Sequence, residues 1–163
     1  MRLWFKRLLP RSMSEPEIDG GVRHSVREDA PKKIISTQIT FFRCTFSTYD
    51  IPLEDSPVAG RLMILQAAPD GGFWDLRHGQ KHPFSPDAAF FAQLQQLISA
   101  YDLAQYNGVH YKVSGLPPDY GMQLEVRYAS GEAICASNNQ SCFVPLEALE
   151  ALAALFEKET GGE

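Results

Sequence analysis

The sequence predicts an α+β domain with an antiparallel sheet of about five strands, in the order β-β-β-α-β-β-α, and two helices on one face. Three observations carry this prediction: a run rich in Ile, Thr and Phe, two stripes of apolar residues at helical spacing, and one strictly alternating segment. The 163 residues, 44% of them hydrophobic and 21% charged, are enough for one independent core.

Residues 1–32 are predicted to be a flexible basic tail, and residues 33–160 a single domain, because the first stretch lacks both helical and strand periodicity. Apolar residues near the start could share one face of a short helix, beside several cations, as in an amphipathic membrane or partner anchor. A helix this short is marginal in isolation, so a frayed terminus is the favoured interpretation. Membrane contact through this tail is possible but is not favoured. The apolar residues concerned are Trp4, Phe5, Leu8 and Leu9, with Arg2, Lys6, Arg7 and Arg11 nearby.

The net charge of −5 is unevenly distributed along the chain. Residues 1–33 carry eight Lys or Arg against five Asp or Glu, whereas residues 34–163 carry seven against fifteen. Nucleic-acid binding needs clustered cations, so an acidic folded part argues against it. A protein partner of this part is expected to be basic.

The first half of the domain is expected to be a meander. The apolar positions of the strand predicted over 34–49 change parity midway, which predicts a bulge or a bend. A hairpin is predicted from the strands 61–67 and 73–77, with an Asp-Gly turn between them.

The second half is predicted as helix, hairpin and helix. Ser85-Pro86-Asp87 is a helix start signal, and apolar residues follow it at three- and four-residue steps. Residues 122–128 alternate as a strand with one buried face. A two-residue turn at Ser130-Gly131 would then bury Cys135, whereas a three-residue turn would bury its neighbours Ile134 and Ala136, and the sequence leaves both open. The last helix opens at Pro145.

About 70 residues at the C-terminal end resemble a group of small bacterial proteins that have no assigned activity. The resemblance implies the helix–hairpin–helix ending and no chemistry. Two positions depart from the group, where a Trp is usual in place of Tyr106 and a Gly usually follows Ser137. The shared residues are Tyr101-Asp102-Leu103, Tyr106-Asn107-Gly108, residues 124–128, Gly131, residues 134–138, Phe143 and Pro145.

Three widely spaced cysteines without a CxxC pair predict free thiols in a reducing compartment, which favours the cytoplasm. Cys135 or Cys142 with His110 could form a thiol–imidazole pair, since a nucleophilic cysteine needs a base to form thiolate near neutral pH. No protease signature surrounds either thiol, and cysteine is often simply buried. A structural role is therefore favoured for both.

No metal or other cofactor is predicted. His78 and His82 are four residues apart, but Gly79 and Pro83 exclude the helix that would bring them together on one face. The glycines of residues 114–121 come without a lysine and precede a strand, so they do not form a phosphate loop.

The sequence points to one composite contact patch beside the second hairpin, where residues 106–121 and 138–141 are expected to meet. Tyr, Asn, Gln and Ser side chains together are typical of a protein-binding surface, although Asn and Ser also build ordinary turns. The sequence thus favours a non-catalytic binding module, of an immunity or regulatory kind, over a cysteine-dependent enzyme. The predicted contact residues are Tyr106, Asn107, Tyr111, Tyr120, Asn138, Asn139 and Gln140.

Overall fold

A computed structural model describes residues 17–19, 21–76, 79–117 and 119–161, with the backbone alone for 17–19. Its strands are β1 (Glu17–Asp19), β2 (Val22–Val26), β3 (Ile39–Ser47), β4 (Leu62–Ala68), β5 (Gly71–Leu76), β6 (Gln80–Phe84), β7 (Val109–Val113), β8 (Met122–Tyr128) and β9 (Ala133–Asn138). Its helices are α1 (Ala88–Ala100), α2 (Leu146–Glu159) and a short 3-10 helix, Leu103–Tyr106.

Within the described residues, all nine strands belong to one sheet, in the order β1-β2-β7-β9-β8-β3-β4-β5-β6. Every neighbouring pair is antiparallel except β7 and β9, which run parallel with His110 opposite Ser137. The α+β class with two α-helices is confirmed, but the prediction of five antiparallel strands is wrong in strand number and in this one parallel pair. Parallel pairing of β7 with β9 puts the β7–β8 connection across the end of β9.

Both helices cover the same face of the sheet, through a cluster of aromatic rings. Phe156 of α2 contacts Phe42 of β3 and Phe84 of β6, and Phe90 of α1 contacts both Phe84 and Phe156 at centroid distances of 5.1 and 5.2 Å. Asp87 caps α1 by accepting a hydrogen bond from the Phe90 N–H at 2.8 Å. Of the three residues in the predicted start signal, Asp87 is therefore the one that caps the helix.

The bulge predicted in the first long strand is present. The pairing of β3 with β8 shifts register between Ile39 and Phe41, so that Ile39 and Phe42 both face the core.

The turn between β8 and β9 has three residues, Ala129 to Gly131, because Arg127 pairs with Ala133 across the hairpin. Gly131 adopts a φ of +88°, which suits a glycine at the end of such a turn. Ile134 and Ala136 consequently face the core, and Cys135 is exposed on the opposite face of the sheet.

Residues 17–19 and 22–26 form a hairpin, although the sequence assigns them to the tail. β2 pairs with β7 from Val22–Val113 to Val26–Val109, which extends the sheet beyond the predicted domain. Charged residues in β2 mask its weak alternation, and only the pairing with β7 makes it a strand. The rest of the predicted tail, residues 1–16, lies outside the described residues. Among the helices of the described part, none is long and apolar enough to cross a bilayer.

Candidate functional site

Three connections meet at one end of the sheet: the β3–β4 loop (residues 48–61), the β7–β8 loop (114–121) and the start of the β9–α2 connection (139–142). The Ser47 N–H donates to the Gly121 carbonyl at 2.9 Å, which joins the first two loops. The Cys142 thiol donates to the Ser47 carbonyl at 3.3 Å, which joins the third. We call this surface the loop end.

A groove of about 320 Å³ opens at the loop end. Four of the seven contact residues predicted from the sequence line it: Tyr111, Tyr120, Asn138 and Asn139. Lys112 and Leu116 lie beside them. These four residues lie together at the end of the second hairpin where the sequence predicts that residues 106–121 and 138–141 meet.

Asn139 fixes one side of the groove by taking the place of a strand residue. Its side-chain oxygen accepts from the Val113 N–H and its amide donates to the Val113 carbonyl, both at 2.8 Å. Its own N–H donates to the Tyr111 carbonyl. The side chain of Asn139 thus continues the short parallel pairing of β7 with β9, and its polar atoms hold the groove in shape.

Most of the exposed apolar side chains cluster at the loop end. In the described part of the chain six large apolar residues are exposed, and four belong to the loop end: Tyr49 (52% exposed), Leu53 (77%), Leu116 (36%) and Tyr120 (45%). The other two, Val26 (37%) and Ile35 (86%), lie near the opposite end, where Val26 pairs with Val109 and Ile35 bonds Glu132. Neighbouring exposed apolar side chains of this kind mark interaction surfaces.

The β3–β4 loop that carries Tyr49 and Leu53 is fixed at its base. Thr48 is buried, and its hydroxyl lies 3.2 Å from both the N–H and the carbonyl of Arg61 on the other side of the loop. The Ser56 hydroxyl donates to the Glu150 carboxylate of α2 at 2.6 Å. The loop is therefore anchored at both of its ends while its tip is exposed.

The tip of the same loop is acidic. Asp50, Glu54 and Asp55 are exposed there, and Glu147 is exposed at the start of α2. Arg61 at the base of the loop is paired with Glu157 at 3.0 Å. The excess of negative charge predicted for the folded part is thus present beside the exposed apolar residues.

The remaining three predicted contact residues do not line the groove. Tyr106 packs its ring against Phe143 at a centroid distance of 5.3 Å, and Asn107 is only 4% exposed and bonds backbone groups near the start of β9. Gln140 is exposed at the loop end, where its N–H donates to the Asn138 side chain. Tyr49 and Leu53 were missed because nothing local in the sequence shows which loops share an end of the sheet.

His110 and Cys135 line one cleft of about 250 Å³ on the sheet face opposite the helices. The His110 Nδ1 atom lies 2.9 Å from the Ser137 hydroxyl, its cross-strand neighbour. Burial lowers the pKa of His110, and the Arg27 cation adds to this, so the imidazole is neutral at pH 7. Cys142 does not line this cleft, since it bonds Ser47 at the loop end.

The three free thiols are not activated by their surroundings. Burial raises the pKa of Cys142 to about 11, with Asp50 acting in the same direction. Burial raises the pKa of Cys135, and Glu125 adds to it. Cys44 is fully buried, which also raises its pKa.

We expect slow labelling of the native protein by iodoacetamide at pH 8, with Cys135 reacting first because it is the most exposed. Cys142, with a pKa of about 11, should react roughly a hundredfold more slowly than a free cysteine, since the thiolate is the nucleophile. Mass spectrometry of time points measures each rate, and labelling in urea gives the unhindered control. Labelling of Cys135 faster than free cysteine would contradict the raised pKa of this thiol.

No group of three metal-binding side chains occurs among the residues that the structure describes. His82 stacks on Trp74 with a centroid distance of 3.8 Å and an interplanar angle of 10°, and the Trp74 indole N–H donates to Thr160. His78, the other histidine of the i, i+4 spacing, lies outside the described residues.

Comparison with known proteins gave no match to this chain among protein-family models, curated proteins or solved structures. The resemblance of the C-terminal residues to small bacterial proteins stays a prediction.

Proposed function

We propose that this chain is a non-catalytic binding module that recognises a basic partner protein through the loop end, in an immunity or regulatory role. The observation that carries the proposal is the clustering of Tyr49, Leu53, Leu116 and Tyr120 at one end of the sheet. Aromatic side chains are enriched in protein interfaces because they supply large contact area at low entropic cost. The fixed base of the β3–β4 loop reduces the ordering cost of binding further.

Charge supports the basic nature of the partner. Asp50, Glu54 and Asp55 surround Leu53 on the same exposed loop, so a partner with cations around an apolar contact complements this surface. Exposed charges are screened within about 10 Å at 0.1 M salt, so capture of the partner should weaken as salt rises. Three free thiols agree with a reducing compartment, and we propose that the module is cytoplasmic.

A cysteine-dependent enzyme that uses Cys135 with His110 is the alternative, and one observation favours it. Both residues line the same cleft, together with Ser137 and Glu125. The raised pKa of Cys135 and the bond of His110 to Ser137 argue against this alternative. The alternative pair of Cys142 with His110 has less support, because the Cys142 thiol is bonded at the loop end. The iodoacetamide experiment separates the two proposals.

Replacing Leu53 and Tyr120 together by serine is expected to abolish specific capture of the partner from a lysate of the source cells at low salt. Each apolar side chain that is buried on binding contributes about 1–2 kcal/mol, so the double change should weaken binding at least about tenfold. The measurement is quantitative mass spectrometry of proteins retained by the immobilised full chain. Basic proteins lost with the double variant are the candidates.

Ile35→Ser is the matched control, because Ile35 is the most exposed of these apolar residues and lies near the opposite end of the sheet. It should retain the partner fully. A partner that Ile35→Ser loses and the loop-end variant keeps would show that the binding surface is elsewhere. Absence of any specific basic protein at low salt would overturn the proposal.

A further inference from the structure

We propose that the N-terminal segment of the same chain, residues 2–11, docks on the loop end and competes with the partner for it. The inference rests on the proposed function in that it uses the same surface. The segment lies outside the described residues, and its sequence combines basic with large apolar residues.

The first argument is complementarity. The segment combines four cations, Arg2, Lys6, Arg7 and Arg11, with large apolar residues that include Trp4, Phe5, Leu8 and Leu9. The loop end offers the opposite charge at Asp50, Glu54 and Asp55, beside the exposed apolar residues Tyr49 and Leu53. Opposite charge with matching apolar contact selects one partner over others.

The second argument is the available length of chain. β1 begins at Glu17 and stands five strand positions from β3, which is about 24 Å at the usual strand spacing of about 4.8 Å. β1 runs toward the loop end, because Asp19 pairs with Val22 and Val22 with Val113, so Glu17 is the end of β1 that lies away from that surface. The path to Leu53 therefore adds a return along the strand to the distance across the sheet. The twelve residue steps from Phe5 to Glu17 span up to about 40 Å when extended, which covers this path, so Trp4 and Phe5 can reach Leu53 without disturbing the sheet.

Docking within one chain has a functional consequence. A tethered segment has a high effective concentration at its site, so it occupies the loop end at low affinity and raises the threshold for a partner. Weak or non-specific contacts are then excluded, while a tighter basic partner displaces the segment.

Zero-length carbodiimide crosslinking of the full chain tests this at low ionic strength. Lys6 is the only lysine before Lys32, so its amide bond to a carboxylate identifies the contact. The crosslinks of Lys6 to Asp50, Glu54 or Asp55 should exceed those to Asp70, an exposed acid at the opposite end of the sheet. An equimolar mixture of ¹⁴N and ¹⁵N protein shows whether they form within one chain.

Two variants make the test specific. Tyr49→Ser with Leu53→Ser leaves every carboxylate in place and should lower the Lys6 crosslink yield about fivefold or more, whereas Ile35→Ser should not change it. Lys6 crosslinks that are spread evenly over exposed acids, or that survive the double variant, would overturn the inference. Crosslinks between copies would assign the surface to a second copy and overturn docking within one chain.

The capture and crosslinking results can be read independently. Capture of a partner by the loop end without Lys6 crosslinks there would leave the proposed function and remove this inference. Lys6 crosslinks at the loop end without any captured partner would keep the docking of the segment and remove the proposed function.

Discussion

Replacing Gly121 by alanine is expected to lower the free energy of unfolding by about 3–4 kcal/mol, a large fraction of the stability of a domain this size. A Cβ atom at this position would collide with the Asn138 carbonyl oxygen and lie 2.8 Å from the Asn139 carbonyl carbon. Both are backbone atoms, at the last residue of β9 and the residue after it, so they cannot turn aside as a flexible side chain would. The φ of +75° adds strain for any residue with a side chain.

Gly115→Ala is the matched control, because Gly115 lies in the same loop with a φ of +87° and no atom within 4 Å of its Cβ position. It carries the conformational strain without the collision and should cost about 1 kcal/mol. Urea unfolding followed by circular dichroism measures both values. Equal losses in the two variants would show that the loop moves away from β9 freely, and the groove would then lose its fixed wall.

The parts of the fold that the sequence predicted well are those with local signals. α1 begins directly after the predicted start signal, with Asp87 as its N-cap, and α2 begins directly after Pro145, since capping and the fixed φ of proline act within one turn. The bulge in β3 was visible because the apolar positions change parity within a single strand. Each of these features is determined by residues close together in the sequence.

The features that the sequence missed depend on partners far along the chain. β7 shows strand alternation in Val109, Tyr111 and Val113, but residues 106–121 were predicted only as a segment that flanks the hairpin, and the parallel pairing of β7 with β9 has no local signal. β6 is short, contains Pro83 and lies at the edge of the sheet, so it shows little alternation.

Only part of the candidate site was predicted from the sequence, because its other part depends on contacts between distant segments. Tyr111, Tyr120, Asn138 and Asn139 were found because their segments flank one predicted hairpin, whereas Leu53 lies in a loop about 60 residues earlier. Only the sheet order, which puts β3 next to β8, brings that loop to the same end of the sheet as the groove. Composition predicted the chemistry of the surface, and topology decides which residues belong to it.

Asn107 was predicted as a contact residue, and its surroundings lead to a different expectation. Its amide donates to the Pro31 carbonyl at 2.9 Å and to the Ala133 carbonyl at 2.8 Å, and its side-chain oxygen accepts from the Cys135 N–H at 2.8 Å. These bonds join the segment before β3 to the start of β9. Because the residue is buried, water cannot replace them in an alanine variant.

Asn107→Ala is therefore expected to lower the free energy of unfolding by about 2–4 kcal/mol, since three buried hydrogen bonds are lost and their backbone partners stay unpaired. Asn138→Ala is the control, because its side-chain oxygen accepts one hydrogen bond, from the exposed Gln140 N–H, and that change should cost about 0.5–1 kcal/mol. Thermal and urea unfolding measure both.

Partner capture then separates the two roles of Asn107. At a temperature where the Asn107→Ala variant is still folded, it should retain the partner as well as the wild type does, because Asn107 does not line the groove at the loop end. Loss of capture without loss of stability would instead make Asn107 a contact residue. The binding surface would then have to extend along β9 to its other end, where Ala133 and Cys135 lie.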